Sequence, residues 1–297
     1  MEIRKGLKSK MELKYEVKQN TTIRKVLQNE LKLSYRLIKN LKLNKKIFLN
    51  GNNNIYLDEP ALSSSTIKID LDTNEDNNNI IPSNIKLNIL YEDELYLIVN
   101  KPAFMPVHPS MEHYTDSLSN GVKYYFDEIN LKRKIRPVNR LDKNTSGIVI
   151  FAKNEFAHSS INILEKKYLC IVAGKLESSG LIDKPISRKN GSIIEREINP
   201  LGDKSLTKYR VLKNFKKGQE LSLLECILLT GRTHQIRVHM SSINHSILGD
   251  DLYGVKSDLI NRQALHAYKI KFIHPILKKE IEIYAPIPQD MLNILKV

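Results

Sequence analysis

Arg136-Pro137-Val138-Asn139-Arg140-Leu141-Asp142-Lys143-Asn144-Thr145-Ser146-Gly147 leads straight into the apolar run Ile148-Val149-Ile150-Phe151-Ala152. The run reads as a strand. Asn144, Thr145, Ser146 and Gly147 crowd behind Asp142, so the chain turns tightly there, and hydroxyls and backbone amides can fix the carboxylate. These residues alone leave two readings open. Either the loop is a structural Asx-turn, or it presents a carboxylate for chemistry.

Outward from this stretch the pattern is strand-rich from Lys86 to the end. Further strands are expected at Tyr96–Val99, Leu169–Ala173, Leu221–Leu229 and Ile281–Tyr284. A helix is expected over 154–165, where Ala157, Ile161 and Leu164 share a face, and another near 233–243. Strands and helices interleave without regular βαβ alternation. That predicts an α+β fold, a mixed and largely antiparallel sheet with flanking helices.

The first part of the chain differs. Behind the cap pair Thr21-Thr22, residues Ile23, Val26, Leu27 and Leu31 recur at helical spacing. Ser34 opens a second helix with Leu37, Ile38 and Leu41 on its apolar side. Arg24, Lys25, Arg36 and Lys39 lie between them as an outer basic face. Lys46–Leu49 reads as a strand ending in an Asn50-Gly51 turn, and Thr66–Leu71 as another. Residues 73–85, polar, Asn-rich and broken by Pro82, read as a linker. The expected organisation is 1–72, linker 73–85, and a large unit over 86–297.

The 297 residues carry 47 Lys and Arg against 33 acidic residues, a net charge of +14. Such a surface attracts polyanions, of which nucleic acid is the commonest. An anionic membrane or a merely Lys-rich composition would give the same number. Cys170 and Cys226 sit in apolar runs and read as buried free thiols. The basic N-terminus lacks the apolar core of a signal peptide, and no run of about 18 apolar residues could span a membrane. A cytoplasmic protein without a membrane partner is expected.

A second dense stretch, Gly231-Arg232-Thr233-His234-Gln235-Ile236-Arg237-Val238-His239-Met240, can bind anions or hydrogen-bond bases. Together, RLDKNTSG at 140–147 and this segment resemble the two main motifs of the RluA-type pseudouridine synthases. Asn100-Lys101-Pro102, Val107-His108-Pro109, Lys166-Lys167-Tyr168, Gly249-Asp250 with Tyr253-Gly254, and His274-Pro275 follow in that family's order. The match spans roughly 88–290. Residues 12–72 resemble an S4 RNA-binding domain, although Leu41–Lys46 departs from the basic residue and glycine often found there.

The resemblance implies an isomerase that breaks the C1′–N1 bond of a uridine and rejoins the base through C5. It makes Asp142 the catalytic aspartate, attacking C1′ or removing the C2′ proton. Arg237 would pair with that carboxylate and hold it charged. Tyr168 would stack on the extruded uracil. Arg140 would reach into RNA, Ile236 would wall the pocket, and Asn139, Arg232, His234 and Gln235 would complete the RNA contacts. The implied partner is RNA, ribosomal first and transfer RNA second, acted on by a monomer with no cofactor and no metal. Asn139 stands where the family usually has His, Phe104 where it has Gly, and the segment between Ala152 and Tyr168 is shorter than usual.

Three rival readings remain distinguishable. A non-catalytic RNA-binding protein would have no use for Asp142, Tyr168 and Arg237 together. A metal phosphoesterase would need His234, His239, Asp250 and Asp251 to converge, yet His234 and His239 are five apart and fall on different helix faces. A nucleoside glycosidase would need no basic groove.

Overall fold

The computed structural model describes residues 11–71, 75, 77 and 79–296. Ten strands form one sheet in the order Gly180–Asp183, Leu206–Lys217, Gln219–Leu228, Asn162–Ala173, Leu265–Ile273, Ser146–Ala152, Tyr96–Lys101, Ile89–Glu92. Glu280–Tyr284 adds to Leu265–Ile273, and Arg136–Pro137 adds to Ser146–Ala152. Every pairing is antiparallel except one. Leu265–Ile273 runs parallel to Ser146–Ala152, with His266 opposite Ser146 and Ala267 opposite Gly147. The expected mixed, largely antiparallel architecture is what forms.

That short parallel seam demands its glycine. Gly147 has φ +118°, and a Cβ on it would lie 2.2 Å from the Ala267 carbonyl oxygen. Every residue of Ser146–Ala152 is buried. Val149 and Phe151 face one apolar cluster with Leu97, Val99, Val122 and Phe126. Ile148, Ile150 and Ala152 face a second with Tyr96, Ile98, Ile270 and Phe272. A strand covered on both sides has no polar positions to spare, hence the unbroken apolar run. Each such side chain contributes about 1.5–3 kcal/mol on burial.

The first face is covered by the helix Leu118–Glu128, which the sequence reading did not foresee, and by Gln289–Leu295 through Met291 and Ile294. Leu118–Glu128 starts at a capping box in which Ser117 and Asn120 satisfy each other's backbone N–H.

The second cluster continues into the N-terminal unit through Ile23, Leu37, Ile38, Ile67 and Ile69. Here Glu12–Glu16, Thr66–Asp70 and Ile47–Leu49 form a small antiparallel sheet. Asn50 and Gly51 (φ 47° and 87°) both take the left-handed region that the tight hairpin turn needs. The Ser34-capped helix is Tyr35–Leu43. The earlier helix is α-helical only over Ile23–Lys25 and widens to a π-helical turn at Val26–Glu30.

One expectation changes. The helix expected over 154–165 is only Glu155–Ser160. Ile161 turns extended, and Asn162–Lys167 pairs with Ile273–Lys269 instead, because ladder bonds to Leu265–Ile273 outweigh the helical spacing of Ile161 and Leu164. Within the segment read as a linker, the described residues are bound. Glu75 N–H donates to the Lys132 carbonyl (3.1 Å) and its carboxylate pairs with Arg136, while Asn77 accepts from Ile135 N–H (2.9 Å). Among the described residues no helix is long and apolar enough to cross a membrane.

Candidate active site

Asp142 lies in the loop that feeds Ser146–Ala152, and buried cations pin that loop. Lys101, fully buried, donates to the carbonyls of Pro102 (2.8 Å), Met105 (2.7 Å) and Lys143 (3.0 Å). Arg262 donates to the Asn144 carbonyl (3.2 Å) and is itself held by Asp290 (2.6 and 2.9 Å). Gln263 donates to the Thr145 hydroxyl (3.1 Å). The turn closes through the Asp142 backbone carbonyl, which accepts from Thr145 N–H (3.1 Å). Its carboxylate therefore stays available, and it is directed at two other side chains.

Those side chains are Arg237 and His234. Arg237 Nη1 stands 3.4 Å from one Asp142 oxygen, and His234 Nε2 stands 3.8 Å from the other. The helix Gln235–Ser241 begins right after His234, whose φ of 56° swings the ring back over the cleft. Arg237 has a closer partner that the sequence reading missed. Its Nε and Nη2 form a bidentate pair with Asp250, both at 2.7 Å, and the Asp250 side chain has no exposed surface. Asp142 is the second acceptor, not the first, because two fork-matched bonds inside the fold outcompete one longer contact at its edge. Burial pushes the Asp250 carboxyl up, yet the Arg237 bonds and the N–H groups of Leu252 and Tyr253 outweigh it and leave it below the usual carboxylate range. The signal was available, since Gly249-Asp250 and Tyr253-Gly254 belong to the quoted pattern.

Tyr168 sits at a bulge in Asn162–Ala173, where the register against Leu265–Ile273 slips between Lys167 and Tyr168. Bulges re-aim a side chain. The ring is only 7% exposed; burial, and then the Asp142 charge, hold its hydroxyl protonated far above the ordinary range. Asp142, Tyr168, His234, Ile236, Arg237 and Leu265 together line a cleft of about 680 Å³, a volume typical of small-ligand sites. A smaller cavity of about 350 Å³ adjoins it across Gly231–Thr233 and is lined by Arg188, Arg196 and Arg232.

Residues 95–242 match the family model described as RNA pseudouridylate synthase. An uncharacterised RNA pseudouridine synthase of Bacillus subtilis, YhcT, is 42% identical over 77% of this chain and 77% of its own. Ribosomal large subunit pseudouridine synthase D of Escherichia coli is 33% identical over 88% of this chain and 85% of the relative. The chain belongs to the RNA pseudouridylate synthase family. Its fold agrees: human RNA pseudouridylate synthase domain containing 1 superposes with a TM-score of 0.56 at 27% identity, over 69% of this chain and 84% of that one. This pseudouridine synthase is therefore an isomerase by family.

The other candidate residues divide. Arg140 and Arg232 are exposed on the cleft wall, placed to meet a polyanion. Asn139 and Gln235, expected as RNA contacts, line the same wall and are engaged internally. Asn139 donates to the Ile148 carbonyl and accepts from Ile150 N–H (both 2.9 Å), so its amide stands in for a strand neighbour. Gln235 is 2% exposed and spends its side chain on Thr230, Arg232 N–H, Leu206 and Thr207. In the N-terminal unit Lys25, Arg36 and Lys39 are exposed, whereas Arg24 is held in a bidentate pair with Asp58 (2.6 and 2.7 Å). The residues that a metal phosphoesterase would need do not converge among the described residues. His239 gives its nitrogens to Thr207 and the Lys184 carbonyl (both 2.9 Å), and Asp250 to Arg237.

Proposed function

We propose that this pseudouridine synthase converts uridines in a structured RNA of the cytoplasm, first of all large-subunit ribosomal RNA. The observation that carries the reading is the Asp142 carboxylate at the wall of the cleft, between Arg237 and His234 and beside the buried Tyr168 ring. Asp142 acts at the sugar, on C1′ or on the C2′ proton. The C1′–N1 bond breaks and the uracil turns against Tyr168 and Ile236. The C1′–C5 bond forms, N1 gains a proton, and the C5 hydrogen leaves to solvent. Arg237, fixed by Asp250, stabilises the carboxylate through each step. The identity to ribosomal large subunit pseudouridine synthase D supports the substrate class.

The N-terminal unit, read as an S4-like domain over 1–72 and joined through 73–85, serves as an RNA anchor for a catalytic unit over 86–297. Lys25, Arg36 and Lys39 neutralise phosphates there, while Arg140 and Arg232 do so at the cleft. The protein acts as a monomer without a membrane partner.

Replacing Asp142 with Asn tests this. Tritium release from a 5-tritiated large-subunit rRNA transcript is expected to fall at least a thousandfold while RNA affinity stays within about twofold. Turnover above background in Asp142→Asn refutes the catalytic assignment. Wild-type protein that binds RNA and converts no uridine would be a binding protein of the same fold.

A further inference from the structure

We propose that Tyr253 is a positioning residue for the catalytic carboxylate, fixing His234 in the tautomer that points an N–H at Asp142. The inference rests on the reading of Asp142 as the reacting group. Among the described residues the Tyr253 hydroxyl has two hydrogen-bond partners. The Arg196 backbone N–H lies 2.7 Å away and His234 Nδ1 lies 2.8 Å away. A backbone N–H can only donate, so the phenol oxygen accepts from Arg196. The phenol's own hydrogen has His234 Nδ1 as its remaining partner among the described residues, and the arrangement that leaves that hydrogen bonded is the one in which Nδ1 accepts it. A neutral imidazole that accepts at Nδ1 carries its proton on Nε2, the nitrogen that faces Asp142 Oδ1 across 3.8 Å.

A separate influence favours the neutral imidazole. Burial pushes His234 below its ordinary value, with Arg237 and Arg196 adding and Asp142 opposing. Asp142 thus meets a guanidinium at one oxygen and a neutral N–H donor at the other. The opposite tautomer would set a lone pair against the carboxylate and turn it from the sugar. At 3.8 Å the donor is beyond hydrogen-bond length, and such contacts tighten when substrate fills a site.

One short loop sets both partners of Asp142. Asp250 grips Arg237 through its carboxylate, and its Oδ1 also accepts from the N–H of Tyr253 (3.1 Å). Ser241, on the helix that follows His234, donates to the Tyr253 carbonyl (2.9 Å). The Tyr253 ring packs edge-on against His234 and under the Arg237 guanidinium, 5.1 Å from its centroid. Arg196 opens the strand Arg196–Ile198, which pairs with Ile186–Arg188 beside the smaller cavity, so its N–H ties that pair of strands to the Tyr253 hydroxyl.

The decisive measurement is the tautomer. Long-range proton–nitrogen correlation on histidine-labelled protein at pH 7.5 is expected to show His234 protonated at Nε2; protonation at Nδ1 overturns the proposal and needs no variant to be read. Two substitutions then separate positioning from mere structure. Tyr253→Phe is expected to lower kcat about tenfold on the rRNA transcript with KM within twofold. His234→Gln, which keeps a donor near Asp142 and removes the Nδ1 acceptor, is expected to do the same. The double variant is expected to be no slower than the slower single one, because Tyr253 acts only through that ring. Multiplying effects overturn the proposal. Should wild type convert no uridine in the transcript, the substrate class falls, and the tautomer spectrum still decides this inference.

Discussion

The two ends of the strand Ser146–Ala152, about 20 Å apart at the usual rise per residue, handle charge in opposite ways. At the cleft end cations are buried and over-determined: Arg237 by Asp250 and Asp142, Arg262 by Asp290 and three carbonyls, Lys101 by three carbonyls. Past Ala152 the helix Glu155–Ser160 meets the N-terminal unit, where Asn40 donates to Glu155 (3.1 Å) and Arg36, its side chain 94% exposed, lies 3.8 Å from the same carboxylate. The contrast fits the two tasks proposed for these ends. Stabilising charge at a reacting sugar needs dipoles that do not reorganise, whereas attracting a polyanion needs charge left in solvent.

The comparison breaks hardest at Asp250. Asp250→Ala would strip the buried Arg237 guanidinium of its bidentate partner, a loss of about 3–5 kcal/mol in urea unfolding with activity lost alongside. Asp142→Asn, by contrast, is expected to shift stability by less than about 1 kcal/mol, since that side chain is 28% exposed. Equal losses from the two would erase the distinction between framework and reacting carboxylate.

Acid probes the same framework through His266, fully buried beside Ser146 and pushed down to about 4, mainly by burial. Between its unfolded value near 6.5 and about 4, the unfolded chain binds a proton that the native state refuses. Stability present above pH 6.5 is therefore lost as pH falls through that window, by up to about 3 kcal/mol. His266→Gln should flatten the pH profile of the unfolding midpoint; an unchanged profile would place the acid sensitivity elsewhere.

At the other end, neutralising Lys25, Arg36 and Lys39 together to Ala is expected to weaken RNA binding several-fold at low salt and leave kcat intact. The slope of log affinity against log salt should fall by roughly 2, given about 0.7 per single-strand phosphate contact. An unchanged slope would remove the N-terminal unit from RNA capture. Arg24→Ala serves as the contrast, because its guanidinium is already committed to Asp58.

The smallest effect is expected at Phe104, which holds φ 64° beside the Lys101-bound turn with half its ring in solvent. Left-handed backbone costs a side-chain-bearing residue about 1–2 kcal/mol, and glycine pays part of that back in unfolded-state entropy. Phe104→Gly should raise the free energy of urea unfolding by up to about 1 kcal/mol. A loss instead would show that the ring supports the cleft.

Much of this was written locally. Ile148–Ala152 is apolar at every position because both faces of its strand are covered, and Asn50-Gly51 because both residues need positive φ. The order of RLDKNTSG and GRTHQIRVHM named Asp142 as the candidate reacting group and Arg237, the arginine that faces it. Partnerships could not be read this way. Nothing near Arg237 in the chain says that Asp250 holds it, that Asn139 and Gln235 are consumed as backbone surrogates, or that Ile161 leaves its helix for a strand. Those outcomes are competitions between groups remote in sequence, settled by which bonds the closed sheet makes geometrically possible. Periodicity and residue type carry the element and the chemistry of a side chain; only the packed molecule decides which buried donor reaches which acceptor.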